Sequence, residues 1–113
     1  MSLCYRCFFQ ENLAYNKATS QSSTGAGGNS HRAVDGKIIT YYHSGLCTHT
    51  QTENSPWWRV DLGQVEPVSE VYVVNRGDCC GIRLSSFEIR VGRSNFGFHF
   101  SELSCGGLRR LGI

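Results

Sequence analysis

The chain lacks any run of apolar residues approaching the roughly 20 that a membrane-crossing helix requires, so a spanning helix is excluded. No stretch of ten or more residues carries a convincing helical period, which argues against a helical bundle. Charge of one sign is scarce: eleven Lys and Arg stand against nine Asp and Glu, a net of +2, and only two of the eleven are lysines. A nucleic-acid surface needs a concentrated basic patch, so nucleic acid is not an expected partner. There is no Ser in a Gly-x-Ser-x-Gly elbow and no His-Glu-x-x-His. His49 also lacks a pair of carboxylates around an apolar pocket, and catalysis is not expected. The amino end, Met1 to Phe9, has neither a basic start nor an apolar segment of signal-peptide length. The expectation is a fragment, a mature form with an added Met, or one module of a longer protein.

What is present fits a small β domain. With 113 residues and 40% hydrophobic content, the chain can build one domain around one core and not two. Six cysteines in that length point to an oxidising compartment, hence to a secreted, extracellular protein. Trp58, Val60 and Leu62 alternate with Arg59 and Asp61, a strand with one buried face. Val68 to Arg76 reads as a second strand, with Val71 and Val73 on one side and Tyr72 and Val74 on the other. Leu84 to Gly92 alternates cleanly, and Phe87, Ile89 and Val91 are expected to face inward. Asn12 to Ala14 and Lys17 to Ser23 read as edge strands, and Phe96 to Phe100 as a further candidate. Thr24 to Ser30 is a glycine-rich loop. His31 to Lys37 is one helical turn ended by Gly36, or a loop whose carbonyls face a cation. Tyr41 to Thr50 is expected to be a surface loop with contact residues. Short strands joined by long loops make this an all-β chain, a β-sandwich of the jelly-roll kind, expected to be incomplete at its carboxyl end. The domain is placed at residues 11–100, with 1–10 an unassigned leader and 101–113 an unassigned tail. Cys4-x-x-Cys7 in the leader is half of a zinc site, a redox pair, or lead-in.

The chemistry concentrates in Asn75-Arg76-Gly77-Asp78-Cys79-Cys80-Gly81-Ile82-Arg83. Two guanidinium forks on one short loop, each with several fixed donors, suit a polyhydroxyl ligand or an anion. If Cys79 and Cys80 bond to each other they form a rigid apolar plate between the arginines. Alternatively each finds a distant partner and the arginines pair with surface carboxylates.

Five separated blocks, Glu11 to Ala14, Ala33 to Gly36, Cys47 to Thr50, Pro56 to Gly63 and Asn75 to Cys80, closely resemble the F-type lectins, or fucolectins, over about residues 11 to 92. That family's signature is a His, twenty-six residues, Arg-x-Asp, four residues, then Arg or Lys. Here twenty-six residues stand between His49 and Arg76, and four between Asp78 and Arg83. The resemblance implies a discoidin-like jelly roll that binds terminal L-fucose on fucosylated glycans, in innate immune recognition of microbes. It places the sugar on His49, Arg76 and Arg83, with the Cys79 and Cys80 bridge as a plate against the ring. Asp78 orients an arginine by a charge-assisted bond. Tyr41, Tyr42 and His43 lie in the loop that, by similarity, covers the 6-methyl group or a neighbouring sugar. L-fucose carries an axial 4-hydroxyl beside the 3-hydroxyl and ring oxygen, and one imidazole with two guanidinium forks offers a geometric test that equatorial sugars fail.

The family also binds a structural calcium, and the matching positions are Arg32, Asp35, Lys37 and Leu46, mostly through backbone oxygens. The family's final strands, which carry an acidic calcium ligand and a Cys partner for Cys47, are absent from this sequence. The resemblance therefore implies calcium only without those C-terminal ligands, and Cys47 is expected to be unpaired or to find Cys105. Clustering in a homotrimer or in tandem domains would raise avidity. The competing resemblance is to discoidin-type modules of coagulation factors, which share Ala-Val-Asp-Gly and Trp-Trp-x-Val-Asp-Leu-Gly and bind phospholipid or protein through apolar loop tips. The loop here presents Arg, Asp and Arg, so membrane insertion is not expected.

Overall fold

The computed structural model describes residues 12–37, 40–42, 45–66, 68, 70–92, 98–99 and 106–112. Five strands run in the order β1 (Ala18–Gln21), β2 (Trp57–Asp61), β3 (Glu70–Asn75), β4 (Phe98–His99) and β5 (Gly106–Gly112). Short 3-10 turns occur at Ser30–Ala33 and Gly81–Arg83. The strands form two antiparallel sheets, one ordered β1-β2-β4 and the other β3-β5.

The alternation in β2 sets the layers. Trp58 is 1% exposed and packs with Leu13, Ala14, Ala33 and Val34. Val60 from the first sheet, Leu62 just past the end of β2, and Val71 and Val73 from the second sheet close on the same cluster, so the two sheets share one core, as two packed layers must. Burying Trp58 also requires a partner for its indole N–H. That donor reaches Ser30 O at 2.9 Å and fixes the 3-10 turn beneath the sheet. On the opposite face Arg59 stacks on Trp57 at 5.5 Å and donates to Ser20 Oγ at 2.7 Å, its partner in the β1-β2 register.

Several expectations are corrected. Asn12 to Ala14 is a turn, not an edge strand: the Asn12 side chain accepts the Ala14 N–H at 3.1 Å, a local bond that competes with sheet pairing. Leu84 to Gly92 forms no strand beyond a single bridge at Glu88. Phe87, Ile89 and Val91 are 40%, 37% and 60% exposed. Alternation chooses a face only once a neighbouring strand defines the plane, and β3 makes its ladder with β5 instead. Conversely, Gly106–Gly112, read as tail, is a strand paired along the whole of β3. Its glycines hide the signal, and pairing overrides propensity there. Tyr41 to Thr50 is not simply a surface loop, because Cys47, Thr48 and Thr50 are all buried. Cys47 is disulfide-bonded rather than unpaired. The Cys4-x-x-Cys7 reading, His43, and the placement of Cys105 lie outside the described residues.

Candidate functional site

β3 delivers the site. Its last residue, Asn75, uses both ends of its amide: Oδ1 accepts the Arg76 N–H and Nδ2 donates to Gly81 O, each at 2.8 Å. One side chain thereby brackets the whole loop between Arg76 and Gly81. Inside the bracket, Arg76 donates from Nε to Asp78 Oδ1 at 2.6 Å and from Nη2 to Oδ2 at 3.0 Å, with 11% of each side chain exposed. This is the planar fork that guanidinium and carboxylate share. The Arg76 bonds hold the Asp78 carboxyl down at about 2, against the opposing effect of desolvation. The same pair raises Arg76 further above its usual range. Asp78 therefore grips an arginine, and the arginine is Arg76.

The loop is stitched sideways to a second segment. Gly77 N–H donates to Thr40 O at 3.1 Å. A Cβ at Gly77 would lie 2.6 Å from Thr40 Oγ1, so only glycine lets these segments approach so closely. This contact brings Tyr42 over the arginine, with the Arg76 guanidinium carbon 4.7 Å from the ring centroid, at cation–π range. Tyr42 in turn meets His49 edge to face, with ring centroids 5.6 Å apart and planes at 65°.

His49 is held by a third segment. Its N–H donates to Gly28 O at 2.8 Å, and its carbonyl accepts the Gly25 N–H at 2.9 Å. Gln21, at the end of β1, ties this corner together. Its Nε2 donates to Gly28 O at 3.0 Å, and its Oε1 accepts the buried Thr48 hydroxyl at 2.5 Å. Sequence reasoning singled out His49, Arg76, Asp78 and Tyr42, and the structure brings these four into one cluster. It did not single out Asn75, Gln21, Gly25, Gly28 or Thr40, which position them. An Asn just before an Arg at a strand end was the one available signal, because Asn there readily bonds the following backbone.

Cys79 and Cys80 bond to each other, with an S–S distance of 2.07 Å, which settles the alternatives left by the sequence. Cys80 lies in the left-handed region at φ 60° and leads into the 3-10 turn Gly81–Arg83. That turn is closed by Arg83 N–H to Cys80 O at 3.0 Å and Leu84 N–H to Gly81 O at 3.2 Å, with Leu84 packed on the core. Arg83 is exposed at the end of this turn. The backbone of the loop that begins at Arg76 carries Arg83 on from the cluster.

The four positions expected around a cation lie on two adjoining segments. Arg32 Nη1 reaches Cys47 O at 3.4 Å, which sets the segment beginning at Arg32 beside Leu46 and Cys47. Asp35 Oδ1 accepts the Lys37 N–H at 2.9 Å. An oxygen-only donor set fits a hard cation such as calcium. Among the described residues there is no group of three or more His, Cys, Asp or Glu side chains able to hold a metal.

Comparison with known proteins places this arrangement. A family model described as NedA-like, galactose-binding domain matches residues 32–103. Fucolectin-6 of Anguilla japonica is 37% identical over 110 residues, covering 93% of this chain and 59% of that protein. The chain spans about 59% or less of the length of the eel fucolectins it matches. Among solved structures, the Streptococcus pneumoniae fucose binding module SpX-3 superposes with a TM-score of 0.73 at 33% identity, covering 91% of this chain and 90% of that one. The lectin domain of lectinolysin, solved in complex with Lewis B antigen, gives a TM-score of 0.67 at 49% identity, covering 68% of this chain and 55% of that one. Two antiparallel sheets around a Trp-centred core, an arginine–aspartate fork beside bonded adjacent cysteines, and these relatives agree: the chain belongs to the F-type lectins, the fucolectin family with its discoidin-like jelly roll.

Proposed function

We propose that the chain binds terminal L-fucose on glycans, with His49, Arg76 and Arg83 as donors and the Cys79–Cys80 bridge as the surface under the sugar ring. The observation that carries the reading is the single cluster in which Asp78 and Tyr42 hold Arg76 while Tyr42 also meets His49. A guanidinium has five N–H donors, and Asp78 engages Nε and one hydrogen of Nη2. The donors that Asp78 does not engage are the ones offered to vicinal hydroxyls in this reading. Tyr42 covers one face of the same group. Asp78 neutralises Arg76, so Arg83 can come near without two uncompensated charges meeting. The chain acts by binding and not by turnover, in keeping with relatives that are lectins and binding modules.

The test is a calorimetric titration with L-fucose and with D-galactose, each with and without chelator. Fucose should bind selectively, and an equal response to both sugars would remove the reading. Calcium, held by the backbone oxygens of Arg32, Asp35, Lys37 and Leu46, belongs to the same proposal as a brace between their two segments. If it matters to the site, chelator will weaken fucose binding. Bonded cysteines support a secreted, extracellular setting. Assembly as a homotrimer and a role in innate recognition of microbes complete the proposal, because weak single-sugar sites gain by avidity. Light scattering together with agglutination of fucosylated cells tests both.

A discoidin-type membrane role has one observation behind it. Ile82, on the site loop between Cys80 and Arg83, is 85% exposed. It is a single apolar tip beside two arginines, and flotation with phosphatidylserine vesicles would have to succeed in excess fucose for that reading to displace the lectin.

A further inference from the structure

The segment Gly25–Gly28 is a tight turn closed by the Gly28 N–H on Gly25 O at 2.8 Å. The two residues at its tip, Ala26 and Gly27, have φ of 45° and 71°. Consecutive residues of positive φ mark the type I′ turn, which glycine enters readily and a residue with a Cβ does not. Ala26 therefore sits where its own side chain disfavours it, and something outside the turn has to hold it. That partner is present: the Tyr42 hydroxyl donates to Ala26 O at 2.6 Å. The same Tyr42 ring carries the Arg76 guanidinium and meets the His49 ring, while the His49 backbone bonds both Gly25 and Gly28. Turn, tyrosine and histidine thus form a closed circuit with the arginine resting on its middle member.

We propose that Tyr42 is a positioning residue whose hydroxyl latches the Gly25–Gly28 turn, so that His49 and Arg76 keep one spacing before any ligand arrives. Removing the hydroxyl leaves the ring under Arg76 in place and releases the turn. His49, bonded to that turn at two points, then samples positions that no longer converge with the arginine. Sugar binding has to select the convergent geometry from a mixture, and apparent affinity falls by the fraction lost. The affinity part of this inference rests on the fucose reading, whereas the ordering of the turn does not.

The experiment compares the full chain with Tyr42→Phe and Tyr42→Leu, measuring amide hydrogen exchange by NMR, L-fucose affinity by calorimetry, and the thermal midpoint. In Tyr42→Phe, exchange at the Gly28 and His49 amides should rise about fivefold and fucose affinity should fall about fivefold, the effect of one lost hydrogen bond. The midpoint and the amides of β2 and β3 should stay near wild type. Tyr42→Leu, which also takes the ring from Arg76, should weaken fucose further without adding to exchange at Gly28. Wild-type exchange at Gly28 in Tyr42→Phe overturns the latch. So does faster exchange spread evenly over all amides with a lowered midpoint, which marks a purely structural role. If exchange rises at Gly28 and His49 while even the wild type ignores fucose, the latch stands and the ligand assignment fails.

Discussion

Replacing Gly28 with alanine tests how closely the histidine corner is packed. Gly28 is buried and has no left-handed φ, so its backbone conformation alone would accept a side chain. What forbids it is space. An added Cβ would lie 2.5 Å from both the Cβ and the backbone nitrogen of His49, and 3.0 Å from its Cα. Ordinary carbon contact begins near 3.5 Å, so the two segments would have to part by about 1 Å. Because two of the three nearest atoms are backbone, a rotamer change cannot relieve the clash. Overpacking of this kind costs about 1–3 kcal/mol, or roughly 4–8 °C of melting temperature per kcal/mol in a domain near this size. The displacement also lengthens the His49 N–H bond to Gly28 O, now 2.8 Å, and moves the imidazole away from Tyr42. Losing one good donor to the sugar lowers fucose affinity by about fivefold to tenfold. Gly27→Ala is the control: its φ of 71° strains an alanine, yet nothing lies within 4 Å of the added carbon. It should destabilise by about 1–2 kcal/mol through backbone strain alone. Calorimetry with L-fucose on both variants, alongside thermal melts, separates the effects. Gly28→Ala with wild-type affinity and melting temperature would refute the reasoning, because the packing that demands glycine would then be slack.

The Asp78 carboxyl, held at about 2 by Arg76, contributes stability that is fully present above its ordinary value of 3.8 and is lost as pH falls through about 2. Unfolding midpoints recorded from pH 7 downward should show no Asp78-dependent loss until below about pH 4, and Asp78→Asn should flatten the change between there and pH 2. Asn75→Ala removes both bonds that bracket the loop and should lower stability by about 1–3 kcal/mol in urea. It should also weaken fucose binding, even though Asn75 is not among the proposed sugar donors. Trp58→Phe deprives Ser30 O of its indole donor and leaves a void in the core; a loss of about 2–4 kcal/mol by chemical denaturation is expected.

How much of this could be read from the chain depends on whether a residue's partner is local. Arg76 and Asp78 are two residues apart, and their fork follows from adjacency. The Cys79–Cys80 bond was one of two readings the sequence left open, and the structure decides between them. The Trp58, Val60, Leu62 face was equally legible, because a strict period of two with a Trp in it has few other uses. The Phe87, Ile89, Val91 alternation has the same form and led to the wrong expectation, since a strand is made by its neighbour and β3 pairs elsewhere. Gly106–Gly112 erred in the opposite direction: glycines and arginines carry little strand preference, yet β3 offers them a complete ladder. The turn at Asn12 was concealed by judging it from apolar pattern alone, when its side-chain amide decides its shape. At the site, the reactive types were visible and their supports were not. Gln21, Gly28 and Thr40 become meaningful only when three segments distant in sequence meet.

Asn75 ends the β3–β5 ladder opposite Gly106, and its side chain also suspends the arginine loop. A backbone rung and a ligand-bearing loop therefore share one hinge post. Sequence variation near Gly106, across the ladder from the residue that precedes Arg76, would tilt that post and with it the loop. In this architecture the strand edge serves as a tuning peg for the loop.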